Sequence, residues 1–286
     1  MNKLNPPDLL VRDTYLSCLS DIKGSNIIYK NKMSKILPQI VSQSRLYALR
    51  AVVPELHLFS CARHGHGSDN IVDDITKDNL INLYGGYFSK SGTSSRSIYD
   101  ILRASSNSVC PFCSFGNVTT LDHYLPKARY PLFSVVPDNL VPACAECNKG
   151  KGSSILTTIE EQPLHPYFSE AKFYNDIWIT AYIEHTCPPS VVYIVEPPTN
   201  WDKPSKQRVI NHFKDFNLGE RFSIQAGLNI QSAVTTVETL LPIIGSEGIK
   251  DHFKKIADNE PPNSILGTFN RALARDNWFC AGEASE

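Results

Sequence analysis

Apolar residues recur at three- and four-residue steps in LLVRDTYLSCLSDI and again in ILPQIVSQSRLYALRAVV, the spacing of a helix with one buried face. Residues 1–105 are therefore expected to form a helical N-terminal domain. The pattern changes at Val118-Thr119-Thr120-Leu121, a β-branched run that predicts a short strand ending at Asp122-His123. Pro126, Pro131 and Pro137 then forbid a continuous helix and force a loop. Asn139-Leu140-Val141 follows as a second extended stretch, and a short helix is expected to begin near Cys144, with Asn148, Lys149 and Lys151 on it or just beyond. The order within residues 106–170 is strand, loop, strand, helix. In the mixed C-terminal region, residues 171–286, DIWITAYIEHTCPPSVVYIVE reads as two strands split by Cys187-Pro188-Pro189. Ser205 begins an amphipathic helix with Val209, Ile210, Phe213 and Phe216 on one face and Gly219 as its stop, and Ser264 opens another through Ile265, Leu266, Phe269 and Leu273. The fold class expected is α+β.

Composition narrows the function classes. The chain has 286 residues, roughly two domains by length. Its 42% apolar and 20% charged residues exclude a disordered, collagen-like or coiled-coil protein. No run approaches 18 apolar residues, and the opening MNKLNPPDLLVRD lacks the apolar stretch of a secretory signal, so a soluble, cytoplasmic protein without a membrane partner is expected. Lys and Arg (28) nearly cancel Asp and Glu (29), so no global field attracts nucleic acid and any basic groups that bind it must be local.

The cysteines carry the sharpest signal. Four of the eight form two C-x-x-C pairs, Cys110/Cys113 and Cys144/Cys147, with 30 residues between the pairs. Random scatter would give roughly 0.2 such pairs in a chain of this length. Two thiolates on a tight turn occupy two corners of a zinc tetrahedron, and a second turn completes a closed, structural Zn²⁺ site. Cys18, Cys61, Cys187 and Cys280 are isolated from one another and read as buried or free thiols. Cys61-Ala62-Arg63-His64-Gly65-His66 has no second half and reads as a loop.

The ordered set Cys110, Cys113, Asp122, His123, Pro126, Asn139, Leu140, Cys144, Cys147, Asn148 and Lys151 resembles the HNH endonucleases and their ββα-metal fold, with asparagine at 148 where many relatives have histidine. The resemblance covers about 45 residues and implies a nuclease module flanked by the two other regions. It implies Asn139 as the residue that holds the loop and imidazole of the catalytic base. The wider layout, with LHPYF and RVINHFKDFNLGERF after the module, resembles bacterial anti-phage defence proteins of Septu-type systems, which act with an ATPase partner. No Walker A motif occurs, so a nucleotide-driven step would need another subunit.

The chemistry is consistent with that resemblance. Phosphodiester hydrolysis needs an activated water, a counter-charge for the phosphorane and a stabiliser for the leaving oxygen. His123 can accept the water proton at neutral pH. Asp122 and Asn148 are hard oxygen donors suited to Mg²⁺ or Mn²⁺ rather than zinc. Neighbours on a strand point to opposite faces, so Asp122 and His123 serve one site only if the strand ends or bends there. Lys127, Arg129, Lys149 and Lys151 oppose Asp122, Asp138 and Glu146, and are candidate nucleic-acid contacts. The leading expectation is metal-dependent cleavage of DNA rather than RNA. A zinc-bound nucleic-acid-binding or protein-interaction module without catalysis is the second, and a nuclease switched on only by a partner the third.

Overall fold

The computed structural model describes residues 1–285. Helix α1 (Val11–Ser20) buries Thr14, Tyr15, Cys18 and Leu19, one stripe at helical spacing, and the Tyr15 hydroxyl donates to the Met33 carbonyl of α2 (Ile27–Lys35) at 2.9 Å. In α3 (Leu37–Val52), Pro38 stands in the first turn, where its missing N–H has no helical partner to lose, and Ile40, Ser44, Tyr47 and Ala51 face inward. A small hairpin, β1 (Asn70–Val72) and β2 (Ile75–Thr76), leads into α4 (Lys77–Asn82), which Thr76 and Asn79 start with a reciprocal capping box. A π-helical turn over Leu83–Phe88 and helix α5 (Arg96–Ala104) complete the helical part.

Next come β3 (Thr120–His123), its antiparallel partner β4 (Leu140–Ala143) and helix α6 (Ala145–Lys151). The order expected from the sequence is present, and His123, paired with Leu140, is the last residue of its strand. Every residue of β4 is buried. A pair of four-residue strands cannot bury itself, and Leu121, Val135 and Leu140 share one core with Tyr15, Met33, Ile40, Leu80 and Phe88. The expected boundary near residue 105 is therefore not a break between compact units. The chain forms two such units, residues 2–169 and the residues from 170 onward.

In the second unit, α7 (Lys172–Asn175) precedes the antiparallel pair β5 (Ile179–Glu184) and β6 (Ser190–Val195), the hairpin expected around Cys187. Helix α8 (Lys203–Asp215) is capped by Asp202 and buries Ser205, Arg208, Val209 and His212. It stops at Asn217, whose φ of 48° reverses the chain, and not at Gly219, which lies inside the next helix. That helix, α9 (Leu218–Asp258), breaks at Gly245 (φ 67°), three residues after Pro242. Helix α10 (Ile265–Arg275) starts at Ser264, as expected, and buries Phe269 and Leu273 but leaves Leu266 exposed. A last short helix, α11, covers Asn277–Cys280. Among the described residues, no helix is long and apolar enough to cross a membrane.

Candidate functional site

Two chain reversals bring the four cysteine sulfurs together. In the first, Cys110 N–H donates to the Gly116 carbonyl (2.8 Å), Ser114 N–H to the Cys110 carbonyl (2.7 Å), and Gly116 N–H to Cys113 Sγ (3.3 Å). A side chain at Gly116 would meet Cys144 Sγ at 2.8 Å, so only glycine fits. In the second, Cys144 caps α6, and its sulfur accepts the Cys147 N–H at 3.4 Å. All four sulfurs lie within 4.8 Å of one another, with Cys113 and Cys144 3.9 Å apart. Tetrahedral Zn–S bonds of 2.3 Å would space sulfurs by roughly 3.8 Å, so the set fits a closed four-thiolate site. The four buried sulfurs hydrogen-bond one another and titrate as one group, so protons are shared among them. A metal ion would replace the shared protons. Among the described residues, no other group of three His, Cys, Asp or Glu side chains is placed to hold an ion.

On the hairpin, the His123 imidazole is buried, with Nε2 2.9 Å from the Ser134 carbonyl. A carbonyl only accepts, so the proton resides on Nε2 and Nδ1 keeps its lone pair. The Tyr84 ring packs edge-on against the imidazole at 4.4 Å, and the Lys127 ammonium lies 4.9 Å from the Tyr84 ring centre. Burial, reinforced by the charge of Lys127, holds the imidazole well below its ordinary pKa, so it is neutral at pH 7. Burial also lowers the pKa of Lys127.

Asp122, beside it, is equally buried, and burial pushes its carboxyl up to about 6 against the pull of Lys151 and Lys127. Lys151 Nζ lies 3.1 Å from Asp122 Oδ2, and it also donates to the carbonyls of His123 (2.6 Å) and Tyr124 (3.0 Å). Asp122 Oδ2 is thus held in a buried ion pair with an ammonium that also serves two backbone carbonyls. Lys127 and Lys151 act electrostatically on both Asp122 and His123.

The other expected contacts are distributed differently. Lys151 is a clamp between α6 and β3 rather than a free surface cation, because its ammonium is already committed. Asn148 lies one turn earlier on α6 and is half-buried, whereas Lys149 is exposed. Arg129 turns toward Cys61 Sγ (3.4 Å), with a buried Nε that makes no hydrogen bond.

Asn139 is fully buried and positions the loop. Its Oδ1 accepts from Leu125 N–H (2.7 Å) and the Tyr47 hydroxyl (3.1 Å), and its Nδ2 donates to the carbonyls of Leu125 (3.0 Å) and Phe133 (3.1 Å). The imidazole is held instead by Ser134, one residue beyond Phe133. Asn139 is thus a positioning residue whose side chain is spent on the loop backbone. Tyr47 also meets His165 Nε2 at 3.1 Å, and His165 is buried against Tyr124. Tyr47, Tyr84 and the Ser134 carbonyl are contributors that no motif in the sequence marks.

No family model matches the chain, and no solved structure does either. The chain is 28% identical over 297 aligned positions to "Protein ea31" of Escherichia phage lambda, covering 99% of this chain and 100% of that protein.

Proposed function

We propose that the protein is a metal-dependent endonuclease of the HNH type that hydrolyses phosphodiester bonds of DNA. The observation that carries this reading is the buried His123 at the end of its strand, whose Nε2 is pinned to the Ser134 carbonyl and whose Nδ1 keeps its lone pair, next in sequence to a buried, ion-paired Asp122. In this mechanism Nδ1 of the neutral imidazole takes a proton from the attacking water, and the Ser134 carbonyl holds the ring so that the lone pair keeps its direction. Asp122 and Asn148 would hold a Mg²⁺ or Mn²⁺ ion, whose chemistry is to offset charge on the phosphate and the leaving oxygen. Lys127 contributes a cation that acts on both Asp122 and His123. The four cysteines would hold a structural Zn²⁺ that supports the hairpin and α6.

The resemblance to defence nucleases extends the proposal to an ATPase or other partner subunit. A similar protein spanning nearly the same length occurs in a phage, so the proposal concerns the reaction and does not restrict it to host defence. One observation favours the second reading, a zinc-bound module without catalysis: Lys151 already balances the charge of Asp122.

Incubation of zinc-loaded protein with supercoiled plasmid separates the two readings. Nicked or linear product is expected with Mg²⁺ or Mn²⁺ and not with EDTA, and His123→Ala should lower the rate by about 10²–10⁴-fold while keeping its zinc. Equal cleavage by wild type and His123→Ala, or none with either ion even when genomic neighbours are supplied, would overturn the nuclease reading.

A further inference from the structure

His165, in the LHPYF segment beyond α6, is buried against Tyr124, the residue after His123, with the two rings stacked at 4.1 Å. The proposed mechanism gives it no task. Its hydrogen bonds fix which nitrogen carries the proton. The Tyr167 N–H donates to His165 Nδ1 at 3.2 Å, so Nδ1 is bare and the ring proton lies on Nε2, 3.1 Å from the Tyr47 hydroxyl oxygen. Tyr47 therefore accepts from His165 and gives its own proton to Asn139 Oδ1 at 3.1 Å. With Oδ1 so engaged, the amide nitrogen of Asn139 faces the carbonyls of Leu125 and Phe133. Donors thus run in one direction, from the Tyr167 backbone through His165, Tyr47 and Asn139 to the residue before Ser134, whose carbonyl holds the His123 imidazole.

Tyr47 and Asn139 are 0% exposed and His165 is 2% exposed, so none of the three meets a phosphate. Apolar side chains of similar volume would fill the same space without fixing a direction, whereas a buried polar chain with every link made specifies one arrangement. We propose that Tyr47 and His165 are positioning residues for His123: they lock the Asn139 amide in one orientation, and that amide sets the backbone on which the imidazole rests.

The same segment also grips the opposite strand. The Tyr167 hydroxyl donates to the Leu140 carbonyl at 2.8 Å, and Leu140 is the residue paired with His123 across the hairpin. The imidazole is therefore braced from its loop and from its partner strand by neighbouring residues of one segment. Without the Tyr47 hydroxyl, His165 Nε2 loses the Tyr47 oxygen and Asn139 Oδ1 keeps the Leu125 N–H alone, so the loop loosens where Phe133 leads into Ser134. The kinetic consequence rests on the nuclease reading, and the placement of the imidazole does not.

Imidazole nitrogen NMR of the isotope-labelled, zinc-loaded full chain, recorded without DNA or added Mg²⁺ or Mn²⁺, tests the placement, and plasmid-cleavage kinetics test its consequence. Wild type, Tyr47→Phe, His165→Phe and His165→Gln are compared, with thermal melts and zinc content to establish that each variant folds. Wild type is expected to show His165 and His123 both protonated on Nε2 and not on Nδ1. Tyr47→Phe and His165→Phe should move the His123 Nε2–H resonance and lower kcat about 10-fold or more with KM within about twofold, because displacing a reacting group by about 1 Å costs up to about 10²-fold. His165→Gln, which keeps an N–H toward Tyr47, should recover most of both. A His165 protonated on Nδ1 in wild type, or a His123 resonance that folded Tyr47→Phe and His165→Phe both leave in place, would overturn the proposal. A moved resonance in a chain whose wild type cuts no plasmid upholds the positioning and refutes the nuclease reading. Cleavage by wild type, with resonance and kcat unmoved in the folded variants, does the reverse.

Discussion

Replacing Asn139 by alanine tests whether this side chain is structural, and its cost can be worked from its four hydrogen bonds. The substitution leaves the Leu125 N–H and the carbonyls of Leu125 and Phe133 without their side-chain partner, all at buried residues. The Tyr47 hydroxyl keeps His165 as a partner and is spared. The Phe133 carbonyl likewise keeps the Val136 N–H at 3.3 Å, so two groups are orphaned, and at about 1–3 kcal/mol each they would cost about 2–6. A water molecule entering the vacated space would satisfy some of that demand, and about 2–4 kcal/mol is expected. For a unit of this size that corresponds to a fall in Tm of about 10 °C. Zinc-loaded Asn139→Ala, melted beside wild type and titrated with urea, should show a large loss of stability with its zinc still bound below the transition. A variant within about 0.5 kcal/mol of wild type would refute the reasoning. It would mean that the four short contacts do not hold the loop, and would reopen a direct role for Asn139 in chemistry.

Other outcomes follow from the same geometry. Purified protein should contain one zinc per chain by elemental analysis, and Cys144→Ser or a strong chelator should unfold residues 2–169, because binding worth on the order of 10 kcal/mol exceeds the margin of a typical domain; well-folded, zinc-poor protein would contradict this. Lys151→Met should destabilise by about 3–5 kcal/mol by stranding Asp122, whereas Lys127→Met should melt close to wild type and instead slow cleavage; the reverse ranking would exchange the roles given to the two lysines. Asp138 tests the pH dependence of stability: burial pushes its carboxyl up from 3.8 to about 6 in the folded chain. The folded state then holds the proton more tightly, so this contribution is fully present below about pH 4 and is lost as pH rises through 6. Asp138→Asn should therefore gain about 2–3 kcal/mol at pH 7.5 and nothing near pH 4, and a gain equal at both pH values in urea titrations would disprove the linkage.

What the sequence revealed was what local punctuation encodes. Pro126, Pro131 and Pro137 exclude helix wherever they stand, and the cysteine pairs define their own turns, so the order strand, loop, strand, helix was legible residue by residue. The supports of the site were not. Tyr47 reaches Asn139 across 92 positions and His165 across 118, and nothing in a helical stripe of apolar residues distinguishes a tyrosine that packs from one that also donates a hydrogen bond. The boundary near residue 105 failed for a related reason. The hydrophobic pattern shows that β3 and β4 have apolar sides, but not that the helices before them supply the cover. Lys151 looked like a phosphate contact because a lysine near a helix end is usually solvated, and only the packing of α6 against β3 turns it inward.

The energetics of the strand end bear on whether its polar groups are structural or functional. Asp122, His123 and Lys151 place three ionisable groups together at nearly full burial. Removing charges from water costs several kcal/mol per ion, and apolar residues of similar volume often stabilise such a position better than an ion pair does. A module needing only shape would therefore lose nothing by carrying leucine and methionine here. The chain instead keeps a buried carboxylate ion-paired with Lys151 and a neutral imidazole with one free nitrogen, in a segment bracketed by two cysteine pairs. Thiolate–metal bonds can bear the fold while the segment between them stays electrostatically strained. That division of labour fits the proposed reading of the strand end as a site of chemistry, since clustered buried groups with shifted pKa values recur at reacting centres.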